Sequence, residues 1–109
     1  MSPQLKELKK MGAGRLPLNE LPETFEATLV REEIRKDRMG RDCLYWIMEI
    51  EGQGTLTQKF SPMHIDELVK ALEKLGITDT KELIGKKMLM KAKHFRIGNP
   101  RWLPAEIRE

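Results

Sequence analysis

The chain has 109 residues, enough for one domain and too few for two ordinary ones; 39% are hydrophobic and 34% charged, which describes a soluble, charge-rich globular fold. The formal net charge of +3, from 20 Lys and Arg against 17 Asp and Glu, permits an anionic partner without demanding one. The lone Cys43 rules out an internal disulfide and, with His64 and His94 as the only other soft ligands, the sequence implies no metal and no cofactor; no apolar run approaches the ~20 residues of a membrane helix and the N-terminus lacks an apolar signal core, so a cytoplasmic protein with no membrane partner is expected.

Residues 1–23 read as a flexible N-terminal segment with an extended lead-in, and 24–109 as a single domain. In the segment, Ser2-Pro3 precedes Leu5, Leu8 and Met11 at near-helical spacing, and Gly12-Ala13-Gly14 follows. A helix of about nine residues is marginal in water, so it either frays or docks its apolar residues on a protein partner. Leu16 to Pro22 carries prolines that forbid regular structure, and is expected to cross the core extended.

From Thr24 the pattern takes period two: Phe25, Ala27 and Leu29 alternate with Glu26, Thr28 and Val30, a strand with one buried face. Glu32 to Asp42 is nearly all charge around Met39-Gly40 and is expected to be a long hairpin connection, a short helix being the alternative. Cys43 to Glu51 is the strongest strand, with Leu44, Trp46, Met48 and Ile50 facing in and Tyr45, Ile47, Glu49 and Glu51 facing out. Gly52-Gln53-Gly54 turns the chain into a third strand, Thr55 to Phe60. Ser61-Pro62 opens a helix whose Ile65, Leu68, Leu72 and Leu75 form one stripe and which Gly76 ends. Asp79 with Glu82 resembles a capping box on a short turn closed by Gly85. Two more strands follow, Lys87 to Arg96 and Arg101 to about Ile107.

One stretch concentrates charge. Lys86, Lys87, Lys91, Lys93, Arg96 and Arg101 occur with no Asp or Glu among them, and Phe95 and Trp102 flank the tip Gly98-Asn99-Pro100. Cations interleaved with aromatics are what a strand hairpin handling single-stranded nucleic acid needs, since phosphates are attracted and bases stack. The alternative is a solvated edge strand, where lysines keep the edge from pairing with other chains.

The order strand, strand, strand, helix, strand, strand over about Thr24 to Ile107 resembles the OB-fold, and Glu82-Leu83-Ile84-Gly85-Lys86-Lys87 and Ile97-Gly98-Asn99-Pro100 are similar to phrases in small bacteriophage and archaeal single-stranded-DNA-binding OB-fold proteins. The resemblance implies a mainly β, five-stranded Greek-key barrel with its helix between strands three and four. It also implies binding of single-stranded DNA or RNA, DNA favoured, across strands two and three between two loops. Carried onto this chain, the first loop supplies Arg35, Lys36, Arg38 and Arg41, the sheet Tyr45, Ile47, Thr57 and Lys59, and the last loop Phe95, Arg96, Arg101 and Trp102, while the cationic stretch itself adds Lys91 and Lys93 as candidates. Glu49 and Glu51 share the outward face with Tyr45 and depart from this pattern, because they repel phosphate. Trp46 is expected in the core by its phase, while the side taken by Trp102 stays open.

Two other classes compete. No Ser or Cys is placed with His64 or His94 as nucleophile and base, and Gly12-Ala13-Gly14 lacks the flanking strand and helix of a phosphate loop, so an enzyme is not expected. A protein-interaction module, such as the small subunit of a replication or repair assembly, is the alternative function, using the Leu5, Leu8, Met11 segment or the helix.

Overall fold

The computed structural model describes residues 21–108; the expectations for Leu5, Leu8, Met11 and most of the lead-in lie outside the described residues. The elements run β1 (Thr24–Lys36), β2 (Asp42–Ile50), β3 (Gly54–Phe60), α1 (Pro62–Lys74), a short 3-10 turn (Thr80–Leu83), β4 (Lys87–Lys93) and β5 (Arg101–Ile107). All strand pairs are antiparallel in one five-stranded sheet of order β3-β2-β1-β4-β5. The fold is therefore mainly β, with its single α-helix between the third and fourth strands.

The alternation read in the sequence sets the core. Leu29, Trp46, Met48, Leu56, Phe60, Met88 and Met90 are buried from the sheet, and Leu68 and Leu72 of the helical stripe cover them. Trp46 and Phe60 meet edge-on, with ring centroids 5.5 Å apart. The Trp46 indole N–H donates to Glu32, 3.1 Å, and the Thr80 hydroxyl donates to the other oxygen of the same carboxylate, 2.7 Å, which ties the 3-10 turn to β1 and β2.

Two boundaries differ from expectation. The charged run does not form a long connection: β1 continues through Lys36, pairing Glu32 with Trp46, Ile34 with Leu44 and Lys36 with Asp42. Only Asp37 to Arg41 turns. Asp37 closes that turn by accepting from the Met39 and Arg41 amides, both at 2.9 Å, while Gly40 takes φ of 77°. Beyond the core, cross-strand pairs and ion pairs replace apolar burial, so the alternation signal fades there although the strand persists. At the other end, β4 stops at Lys93 rather than Arg96, and the hairpin loop takes the rest.

The sheet is not closed. β3 and β5 lie at opposite ends of the strand order, and no backbone ladder joins them among the described residues. The side chain of Gln58, fully buried on β3, spans that seam: its Nε2 donates to the Trp102 carbonyl at 3.1 Å, and its Oε1 accepts from the Trp102 N–H at 2.8 Å. One amide thus takes both hydrogen bonds that a strand residue would make to Trp102.

Candidate nucleic-acid interface

The outward face of the sheet is built from pairs in register. Tyr45 on β2 lies between Glu33 of β1 and Lys59 of β3, and Ile47 lies between Arg31 and Thr57. Directly opposed side chains on one face sit about 5 Å apart at Cβ, so these are contacting rows. The Arg35 guanidinium stands over the Tyr45 ring, 5.1 Å from its centroid, and also pairs with Glu33. Tyr45 is half-buried, its ring set in the sheet surface by a cation above and by its cross-strand neighbours.

The tyrosine row continues across the seam. Arg101 at the start of β5 donates from Nε to the Lys59 carbonyl at 2.7 Å, and Arg101 is the register partner of Lys93 on β4. A course of Arg35, Tyr45, Lys59, Arg101 and Lys93 therefore runs from β1 across β2 and β3 and over the seam to β5 and β4. The β1–β2 turn lies past the Leu44–Phe60 pair, whereas β4 runs against the start of β1, Lys91 opposite Thr24, so the β4–β5 loop leaves the sheet at the other end of β1 and meets β3 only across the seam, through Arg101 and Lys59.

The N-terminus of α1 stands beside this course. His64 is buried; its Nδ1 accepts from the Ser61 amide at 3.2 Å and lies 2.8 Å from the Ser61 hydroxyl, so a histidine fills the place a Glu or Gln usually takes in a capping box. Desolvation pushes the His64 pKa below its ordinary value, and the positive charges of Arg101 and Lys59 push it the same way. The imidazole is consequently neutral near pH 7, with its proton on Nε2 so that Nδ1 can accept. Phe95 packs edge-on against the imidazole, centroids 4.8 Å apart, which fixes the β4–β5 loop over the helix start.

No protein-family model matches this chain, and no curated protein sequence does. The site therefore rests on its own geometry.

The structure sorts the residues that the sequence proposed. Tyr45, Lys59, Lys93, Phe95 and Arg101 come together, and Arg96 follows Phe95 on the exposed loop. Arg101 is half-buried and commits its guanidinium to main-chain carbonyls of Lys59, Asn99 and Pro100, with burial lowering its pKa, so it braces the seam more than it faces solvent. Lys36 pairs with Asp42 at 3.1 Å and Arg41 with Asp37 at 2.9 Å, holding the β1–β2 turn, whereas Arg38 is exposed with no ion pair among the described residues. Lys91 is exposed on β4 opposite Leu103, two register pairs from the course. Trp102 requires a correction: at 2% exposure, with its indole N–H donating to the Pro22 carbonyl at 2.8 Å and its ring 5.8 Å from Phe25, it is a core residue with no face to offer a base. Lys87 also leaves the group, because it pairs with Glu51 beside the β2–β3 turn, 3.8 Å away. Two supporting residues carried no site signal in the sequence: Gln58, whose only mark was a polar side chain in phase with Leu56 and Phe60, and His64, three residues after the helix cap.

Proposed function

We propose that this protein binds single-stranded nucleic acid on the outward face of β2 and β3, as an OB-like barrel whose β3–β5 seam is joined by side chains. DNA is favoured, following the resemblance of its loop phrases to single-stranded-DNA-binding OB-fold proteins. The observation that carries the reading is the course Arg35, Tyr45, Lys59, Arg101 and Lys93, which runs across the β3–β5 seam and places one ring among cations. Lys59, Lys93, Arg38 and Arg96 supply phosphate contacts from exposed or half-exposed positions. The Tyr45 ring supplies a base platform when Arg35, which stands over it, turns to a phosphate, and Phe95, packed on His64, is the ring of the loop. Neither contact type distinguishes one base from another, so binding is sequence-tolerant. Glu33 is already paired with Arg31 and Arg35, which reduces its repulsion of a phosphate near Tyr45.

The test is amide and methyl chemical-shift mapping with a mixed single-stranded oligonucleotide. Shifts should concentrate on Tyr45, Thr57, Lys59, Lys93 and Phe95. Shifts spread over every lysine of the molecule, or none, would contradict the proposal.

A further inference from the structure

A second surface lies away from the tyrosine course, between the C-terminal half of α1 and the β4–β5 hairpin. It is a groove of about 770 Å³, within the range of ligand-holding clefts. Its floor is aliphatic, formed by Ala71 and Leu75 of the helix and Ala92, Leu103 and Pro104 of the strands. Lys70 and Lys74 rise from the helix on one side, and Lys91 and Lys93 from β4 on the other. Two carboxylates also line it, and one of these, Glu67, pairs with Lys70 at 3.4 Å. Lysine stems extend an apolar wall while their ammonium groups stay in water, so this is an apolar trough with a positive rim.

We propose that this groove docks an acidic segment of a partner protein, one that alternates carboxylates with aliphatic side chains. Four rim lysines against two carboxylates give the charge complementarity, and Leu75 and Leu103, only partly buried in the floor, are left for aliphatic side chains of the partner to cover. The lining holds no aromatic ring, so bases have no platform there, and the groove suits a peptide better than a nucleic acid. The chain's own first twenty residues carry Lys6, Lys9, Lys10 and Arg15 against Glu7 and Glu20, and that charge does not complement the rim. The proposal stands apart from the nucleic-acid reading, and because Lys93 serves both surfaces, Lys70 and Lys74 carry the test.

The full chain is titrated with a labelled peptide of about twelve residues made of Asp, Glu and Leu, with a leucine-free acidic peptide, and with a single-stranded oligonucleotide. Lys70→Glu with Lys74→Glu should weaken the leucine peptide about tenfold or more while changing the oligonucleotide by less than about twofold. The leucine-free peptide should bind the unmodified protein about fivefold or more weakly than the leucine peptide, and the Leu75 and Leu103 methyl resonances should shift only with the latter. If the double reversal does not fold, Lys70→Gln with Lys74→Gln should still weaken the leucine peptide about threefold. Equal binding of both peptides would reduce the groove to a basic patch and overturn the proposal. So would a double variant that keeps the peptide and loses the oligonucleotide, since the groove would then be part of a nucleic-acid path.

Discussion

Replacing Gln58 with Met removes the side-chain bridge between β3 and β5 while nearly conserving volume. Trp102 is 2% exposed, and both its N–H and its carbonyl rely on the Gln58 amide, at 2.8 and 3.1 Å. A buried main-chain group left without a partner costs about 1–3 kcal/mol, so the two together should cost about 2–6 kcal/mol, with water entry at the seam favouring the lower end. Against a whole-domain stability of about 5–15 kcal/mol that is a large fraction. Urea unfolding followed by tryptophan emission measures it, with an unchanged slope showing that the two end states are the same. Gln58→Glu adds a second test with a defined sign. An ionised carboxylate can accept from the Trp102 N–H but turns its other oxygen on the Trp102 carbonyl, whereas the protonated acid restores the donor. That variant's folded-state pKa is therefore raised, and its deficit relative to Gln should shrink as pH falls toward 4, the ordinary range of about 4.3 for Glu. A loss below about 0.5 kcal/mol for Gln58→Met would refute the claim that this amide holds the seam.

Three further outcomes follow from the same geometry. Tyr45→Ala should weaken oligonucleotide binding by about 1–3 kcal/mol, the size of one base stack, in an anisotropy titration, while Trp46→Ala should instead lower folding stability by about 3–5 kcal/mol in urea through the cavity it leaves in the core. His64, whose folded-state pKa is depressed, favours the folded state fully above its unfolded value of about 6.5; stability should fall as pH drops from there toward the lower folded pKa, and His64→Gln, which keeps a side-chain acceptor at the cap, should flatten that slope in thermal melts across pH. Asp37, whose carboxyl is lowered to about 2, first by the Arg41 amide and also by the Arg41 side chain and the Met39 amide, supports the β1–β2 turn above the unfolded value of 3.8; its own carboxyl resonance should titrate near 2, and a midpoint near 3.8 would dissolve that account of the turn.

What the sequence made legible was whatever depends on near neighbours. The in-out phase of Leu44, Trp46, Met48 and Ile50, the helical stripe of Leu68 and Leu72, and the Asp79–Glu82 cap all appear as expected, because each is written within one element. The arm of β1 from Glu32 to Lys36 was hidden because its partners lie across the hairpin: Arg35 finds the Tyr45 ring and Glu32 finds the Trp46 indole. Trp102 was ambiguous for the same reason, since its burial depends on Gln58, 44 residues earlier, and Pro22, 80 residues earlier. The run of cations from Lys86 to Arg101 looked like one patch, yet Lys87 pairs with Glu51 beside the β2–β3 turn while Lys93 faces Arg101 next to the β3–β5 seam. Sequence adjacency overstated that cluster, and register divided it.

The central claim is that phosphate attraction along the course through Lys59 and Lys93 carries binding, and the salt dependence of oligonucleotide affinity tests it most directly. With about four phosphates neutralised by Lys59, Lys93, Arg38 and Arg96, log K for a mixed single strand should fall against log salt with a slope near −3, and Lys59→Ala with Lys93→Ala should bring it to about −1.5. A slope near zero, or one unmoved by the double substitution, would contradict the account.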